Sequence, residues 1–340
     1  MKKIAFIGVG KMGMSHLAIA GAHADVEIVG VADPSSFVTH AIKQYTSMDV
    51  YADYKTMLKE KKPDAVIVAV PTKYHDQIVS DIIDQNMHVF VEKPFAIDNN
   101  FGAALVKKVK EKKLVNQVGY HNKFIGTFIE AKKIITSGSL GEIYHFSGDI
   151  HGPVIVKKKE ATWRSKETEG GGCLMDYAAH MIDLINYQIG TIDKVLAADL
   201  LSIYSEKVED AVFALLVTEN GVHGTLNANW SDETFRKMST TLTVNGTKGK
   251  LVVDTTELKV YFNASPAHLG YEKGWNTRGI NTLTIPVEFY LRGEEYSAQM
   301  DYFIKAIHNE VPNNINTFDS AFKTDEVIAK IKHSKIYYNG

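Results

Sequence analysis

Lys93 stands between Glu92 and Pro94, directly after the short apolar run 89–91. Pro94 restricts the residue before it to extended backbone, which fixes the direction of the lysine. A partly desolvated lysine at such a place can hydrogen-bond a substrate oxygen. A second stretch opens with Gly170, Gly171 and Gly172 and continues through Cys173 to Asp176 and His180. On a helix, positions i and i+4 share one face, with Cβ atoms roughly 5–6 Å apart. A carboxylate beside an imidazole orients the ring and keeps it basic, as a general base requires. By itself this stretch fits a capped surface helix equally well. The third pattern is G-x-G-x-x-G at Gly8, Val9, Gly10, Lys11, Met12 and Gly13. Its glycines permit a tight turn, let the backbone approach a pyrophosphate and allow close helix–strand packing.

The elements around these residues decide their meaning. Residues 4–7 form a short apolar run before the glycines, and residues 14–22 read as a helix. A second run, 26–32, ends at Asp33, twenty residues after Gly13. An acidic residue there accepts hydrogen bonds from the adenosine ribose hydroxyls. It also repels a 2′-phosphate, and residues 34–37 contain no arginine to hold one, which favours NAD over NADP. Strands at 65–70, 89–91 and 115–119 alternate with helices at 54–61 (capped by Asp53), 72–85 and 98–112. Such alternation predicts a parallel sheet covered on both faces, with ligands at the carboxyl ends of its strands. Val70, Pro71, Thr72 and His75 are therefore cofactor candidates, with Glu92 and Lys93. Tyr120 and Asn122 are candidates for the substrate pocket.

After residue 123 the pattern changes. One helix at 128–137 precedes β-rich runs at 143–150, 194–202, 210–218, 222–229, 238–245, 251–254 and 258–262. Asn220–Gly221 is a hairpin signal and Asn245–Gly246 a second turn signal. Residues 263–292 show no period and read as a long loop, and helices at 294–310 and 318–335 end the chain. The expected fold is α/β: an N-terminal Rossmann parallel sheet in residues 1–122, then a C-terminal α+β domain in residues 123–340. The second domain carries a large open, mainly antiparallel sheet, and the terminal helix can pack back on the first.

Composition excludes several classes. A chain of 340 residues with 45% hydrophobic and 23% charged residues reads as soluble and globular. A net charge of −2 gives no sign of a nucleic-acid or membrane-surface partner. One cysteine, Cys173, forbids an intrachain disulfide and suggests a reducing, cytoplasmic setting. No run approaches the ~20 apolar residues that span a bilayer. The N-terminal apolar run is too short for a signal peptide.

Together the glycine motif, Pro71–Thr72 with His75, the Glu-Lys-Pro triplet and the Gly-Gly-Gly…Asp…His…Asp run ending at Asp183 resemble the glucose–fructose oxidoreductase/inositol dehydrogenase family, across nearly the whole chain. The resemblance implies an NAD(P)-dependent dehydrogenase acting on a secondary alcohol of a sugar, inositol or nucleotide sugar. It implies Lys93, Asp176 and His180 as the catalytic set, and a homodimer or homotetramer built through the open sheet. In that scheme His180 takes the hydroxyl proton, Asp176 orients His180 or binds a neighbouring hydroxyl, and Lys93 stabilises the developing oxyanion. Which of His180 and Lys93 takes the proton stays open.

Other residues have two readings each. Trp163 and Arg164 suit a sugar ring and an anionic group, or equally a packed tryptophan with a surface arginine. Lys157, Lys158 and Lys159, with Arg164 or Arg278, can meet a phosphate if the substrate is nucleotide-linked; otherwise they are a solvated run. Asp176 and His180 have metal-ligand spacing, but no third ligand is spaced to join them, so no metal is expected. Cys173 reads as a packing residue. Two alternatives from other classes are a glycosidase that uses tightly held NAD for transient oxidation and a non-catalytic NAD-binding regulator.

Overall fold

The computed structural model describes residues 1–157, 163–284, 286–287, 290–291 and 293–334. It divides into two compact units: residues 1–121 with 286–322, and residues 122–285 with 323–340.

Unit 1 alternates strand and helix as its apolar runs predict. β1 (Lys2–Ile7), α1 (Lys11–Gly21), β2 (Val26–Ala32), α2 (Ser36–Tyr45), β3 (Val50–Tyr51), α3 (Tyr54–Lys61) and β4 (Ala65–Val68) come first. α4 (His75–Asp84), β5 (His88–Val91), α5 (Asn99–Glu111) and β6 (Asn116–Val118) follow. All strand pairs are parallel, in the order β3-β2-β1-β4-β5-β6. The strand order reverses direction between β1 and β4, the switch point where doubly wound sheets bind ligands. β4 is buried at all four positions, which is why it reads as an unbroken apolar run. Asp53 caps α3 through the Lys55 and Thr56 N–H groups, and Asp98 caps α5 through Asn100.

Unit 2 contains α6 (Gly126–Thr136), β7 (Ile143–His151), a π-helical turn at Leu174–Ala178 and α7 (Ala179–Gln188). Then come β8 (Ile192–Leu201), β9 (Ala211–Thr218), β10 (His223–Asn229), β11 (Ser239–Gly246), β12 (Gly249–Asp254), β13 (Glu257–Phe262), β14 (Gly274–Gly279) and α8 (Ile280–Leu283). Eight strands form one sheet in the order β14-β13-β12-β11-β7-β10-β9-β8. Every pair is antiparallel except β7 with β10. One face is apolar, with Phe146, Ile150, Leu226, Leu242, Val244, Leu251 and Val260 buried. α7 lies on that face: a Cβ at Gly148 would stand 2.7 Å from the Met181 side chain, so the glycine lets the helix pack closely without moving that side chain.

Three expectations need correction. The span 263–292 is not one loop, because it contains β14 and α8. β14 is the edge strand and buries none of its residues fully, so its sequence lacks the apolar alternation that marks a half-buried strand. Asn245 and Gly246 still belong to β11, and the turn is Thr247–Lys248, closed by the Gly246–Gly249 pair. Residues 286–322 fold with unit 1, although they follow the second sheet in the chain. The reason is α9 (Glu294–Ile307): Met300, Phe303, Ile304 and Ile307 join Ile4, Phe6, Val31 and Phe90 in one core. The unit boundary falls within α10 (Phe318–His333). Among the described residues, no helix is long and apolar enough to cross a membrane.

Candidate functional site

In unit 1 the three motif glycines do three different jobs. Gly8 has φ +83°, and a Cβ there would stand 2.6 Å from the Ala69 carbonyl oxygen. Gly13 opens onto the turn itself, where a Cβ would stand 2.1 Å from the Gly8 oxygen. Gly10 caps α1 in extended backbone, and a Cβ there meets nothing within 4 Å. Close packing at two glycines and open space at the third fit a pyrophosphate seated against Gly10 and the first turn of α1, which Lys11 and Met12 begin. The first N–H groups of a helix have no partner within it, and α1 has no side-chain cap.

Asp33 follows β2. Its carboxylate accepts the Val9 N–H at 2.9 Å and the Ser35 N–H at 2.9 Å, so it ties the glycine loop to the β2 end. Val70 packs on Gly8, and Pro71 and Thr72 lead into α4 through a short 3-10 turn. His75 is buried, with Nδ1 3.2 Å from the Phe95 carbonyl oxygen and Nε2 3.0 Å from that of Val70. Burial pulls its pKa down, and a neutral ring donates to one of the two carbonyls. His75 thus braces the loop after β4 against the segment after Lys93.

Glu92 faces His16 on α1. His16 Nε2 lies 2.6 Å from Glu92 Oε1, and the Lys93 backbone N–H donates to Glu92 Oε2 at 3.2 Å. Burial pushes the Glu92 carboxyl up, but the hydrogen bond from His16 and the Lys93 charge outweigh this and hold it below the usual range. No motif marks His16; its one signal in the chain is a histidine among the buried positions of α1, three residues past Gly13. Tyr120 is buried, and its carbonyl accepts from Asn316.

In unit 2 the glycine triplet receives specific neighbours. A Cβ at Gly171 would stand 2.3 Å from the Arg164 carbonyl oxygen, and the Gly172 N–H donates to that same oxygen at 3.0 Å. Gly172 has φ +103°, and a Cβ there would stand 2.3 Å from Glu209 Oε1. Glu209 then accepts the Leu174 N–H at 2.8 Å, and burial raises its carboxyl pKa. The glycines therefore admit Arg164 and Glu209 beside the start of the π turn. Asp176 lies within that turn, so the plain α-helix expected for it and His180 is replaced by a wider winding that passes into α7.

Arg164 Nε donates to Asp176 Oδ2 at 3.0 Å, and the guanidinium lies 4.5 Å over the Trp163 ring. Asp176 is 7% exposed and Arg164 39%, so a buried carboxylate meets a half-open cation. His180 is buried on the first turn of α7. Asn122 is buried, and neither of its amide atoms has a hydrogen-bond partner among the described residues. Beside it Lys123 Nζ lies 2.7 Å from Asp183 Oδ1, both side chains buried, a pair the sequence did not announce. Burial raises the Asp183 carboxyl in spite of that lysine. Burial also raises the Cys173 thiol well above its usual value, as befits a packing residue. Arg278 lies 3.2 Å from Glu130 and against the Tyr271 ring. Lys157 is exposed, while Lys158 and Lys159 lie outside the described residues.

The model of an oxidoreductase family with an NAD-binding Rossmann fold matches residues 2–120, and the GFO/IDH/MocA C-terminal domain matches residues 128–252. The chain belongs to the GFO/IDH/MocA family of oxidoreductases. Levoglucosan dehydrogenase of Pseudarthrobacter phenanthrenivorans is 25% identical over 302 residues, 78% of this chain and 77% of that one. D-glucoside 3-dehydrogenase of Escherichia coli is 26% identical over 237 residues, 64% of this chain and 67% of the relative. The scyllo-inositol 2-dehydrogenase (NAD(+)) of Bacillus subtilis is 25% identical over 194 residues, 55% of this chain and 54% of the relative. A solved levoglucosan dehydrogenase in complex with NADH superposes with a TM-score of 0.85 at 22% identity, covering 98% of this chain and 96% of its own. The family fold and the NAD-binding domain are thus established, and nothing among these relatives supports the glycosidase alternative.

Proposed function

We propose that the protein oxidises a secondary alcohol of a sugar or polyol, or reduces the matching ketone, with NAD as hydride partner. NAD, when bound, supplies the hydride acceptor. His180 accepts the hydroxyl proton, and Asp176, held by Arg164, orients the imidazole or binds an adjacent hydroxyl. Lys93 stabilises the developing oxyanion. Tyr120, Asn122, Trp163 and Arg164 contribute to substrate binding, with the Trp163 face suited to a sugar ring. Asp33 favours NAD over NADP, because a carboxylate at the end of β2 repels a 2′-phosphate. The relatives named as dehydrogenases of levoglucosan, glucosides and inositol support this substrate class.

The observation that carries the reading is the Arg164–Asp176 pair, built on a turn that Gly172 and Glu209 fix, four residues before a buried histidine. A buried carboxylate held in one orientation by an arginine can direct a neighbouring imidazole or substrate hydroxyl. The outer face of the unit 2 sheet, with Phe213 and Leu215 exposed on β9, supports assembly of two or more copies through that sheet. A reducing compartment such as the cytoplasm suits the lone buried thiol of Cys173.

The test is NADH formation across a panel of inositols, free sugars and nucleotide sugars. Lys93→Ala and His180→Ala should each lose about 10²–10⁴-fold in turnover while still binding NADH. Near-normal turnover in either variant refutes its assigned role.

A further inference from the structure

His16 and Glu92 belong to neither the glycine motif nor the proposed proton-transfer set, yet they join the two. His16 is on α1, the helix whose N-terminus opens the dinucleotide loop, and is 1% exposed. Glu92 follows β5 directly and precedes Lys93; its side chain is 12% exposed. Their 2.6 Å contact is the polar link between the two elements. The carboxylate is ionised and so can only accept, which makes His16 Nε2–H the donor. The ring is held in place by apolar neighbours: Phe90 edge-on at 5.1 Å and Tyr296 at 6.5 Å. His16 Nδ1 has no hydrogen-bond partner among the described residues, so Glu92 is the contact that aims the imidazole.

Glu92 is fixed on its other side too. Oε2 accepts the Lys93 backbone N–H, and a Cβ at Gly119 would stand 2.9 Å from that oxygen. A carboxylate locked by a histidine from one helix and a glycine gap from the next strand leaves the following residue little freedom. A buried, charge-assisted bond of this kind is weak evidence for stability, because apolar side chains of similar volume often serve a fold as well.

We propose that His16 and Glu92 are positioning residues that tie Lys93 to the dinucleotide helix, so that the lysine is set by the same element that holds the cofactor. This rests on the reading that Lys93 works beside bound NAD. A shift of about 1 Å in such a group costs on the order of 10²-fold in rate, so the link matters even though neither residue touches substrate.

The test needs no substrate. Lys93 is labelled with pyridoxal 5′-phosphate, trapped with borohydride and quantified by peptide mass spectrometry, with and without saturating NADH. NADH should slow Lys93 labelling in the wild type by about fivefold or more. His16→Leu should lose that protection while its NADH affinity by calorimetry stays within about threefold of the wild type. His16→Gln, which keeps a side-chain N–H for Glu92, should retain it. His16→Met, of different shape and also without a side-chain N–H, repeats the test should His16→Leu fold poorly. Wild-type labelling and protection in both His16→Leu and His16→Met, with only the melting temperature lowered, overturns the proposal. Loss of NADH affinity together with protection also overturns it, since the pair would then serve the cofactor loop and not the lysine. An absence of NADH protection in the wild type overturns it as well. Failure of the functional reading shows elsewhere, as no NADH from any member of the sugar panel. On a substrate that the panel identifies, His16→Leu should lower kcat about 10–100-fold with little change in the KM for NAD.

Discussion

Gly10→Ala and Gly13→Ala change the same motif by one methyl each and should fail in different ways. At Gly13 the new Cβ lies 2.1 Å from the Gly8 oxygen and 2.9 Å from its carbonyl carbon. Both are backbone atoms of a tight turn, so the helix and loop must separate by more than an ångström. Overpacking of this kind costs typically 1–3 kcal/mol, and rigid backbone on both sides puts it near ~3 kcal/mol. For a unit of this size that is a fall of about 6–12 °C in melting temperature. At Gly10 the new Cβ meets nothing within 4 Å, and φ of −65° suits alanine. About 0.5–1 kcal/mol lost at the helix cap is offset by about as much from a stiffer unfolded chain. The unliganded Gly10→Ala protein should therefore melt within about 2 °C of the wild type. Its methyl nevertheless fills the space where a pyrophosphate approaches, and NADH affinity should fall by about 10–100-fold, or roughly 1.4–2.8 kcal/mol. Scanning calorimetry of the free proteins and titration calorimetry with NADH measure the two effects. A Gly10→Ala protein that binds NADH like the wild type refutes the account of the loop, as does one that melts as early as Gly13→Ala.

Three further outcomes follow from unit 2. Arg164→Ala should cut turnover on a substrate found in the panel by about 10–100-fold, and added guanidinium should restore part of it, because the Nε bond to Asp176 is what is missing; a variant that turns over at the wild-type rate removes Arg164 from the mechanism. Asp210 is buried and accepts from the Ile203, Tyr204 and Ser205 N–H groups, the Ser205 hydroxyl and the Trp230 indole. Burial pushes its carboxyl up, yet these bonds hold it below the usual range, so its stabilising effect is full above about pH 4 and fades as pH falls through the lowered value. Asp210→Asn should cost on the order of 3–4 kcal/mol at neutral pH, a deficit that narrows in acid; a deficit independent of pH in denaturant titrations contradicts the assignment. Leu215→Glu on the exposed face of β9 should convert an assembled wild type to monomer by light scattering, and an unchanged mass would move the interface elsewhere.

Legibility in the sequence followed burial. Parallel strands buried on both faces are continuous apolar runs, so β1, β4 and β5 stood out, and with β4 and β5 the strand ends where Val70 and Lys93 lie. β14, exposed at a sheet edge, carried no such signal. The face of α9 was readable as apolar, but nothing local says which core a helix joins, and it returned to unit 1 across more than 160 residues. At the candidate site the residue types were legible and their partners were not. Asp176 and His180 are a spacing, which one chain segment contains. Arg164 with Asp176, Lys123 with Asp183 and His16 with Glu92 are separated by 12, 60 and 76 residues, and only the fold brings them together.

That difference has a physical consequence for where function can be altered. At Glu92 and Asp183 the partner missed by the sequence supplies a charge or a donor to a carboxylate that burial pushes toward neutrality, and at Asp176 Arg164 supplies a charged donor. The carboxylates at 92 and 176 sit next to the residues assigned to the chemistry, and their partners come from the elements that build the dinucleotide loop and the glycine turn. A substitution at His16 or Arg164 therefore changes the field and the aim at Lys93 or Asp176 without removing a reacting group. It should alter turnover with little change in cofactor affinity, whereas substitutions at Gly10 or Asp33 should do the reverse.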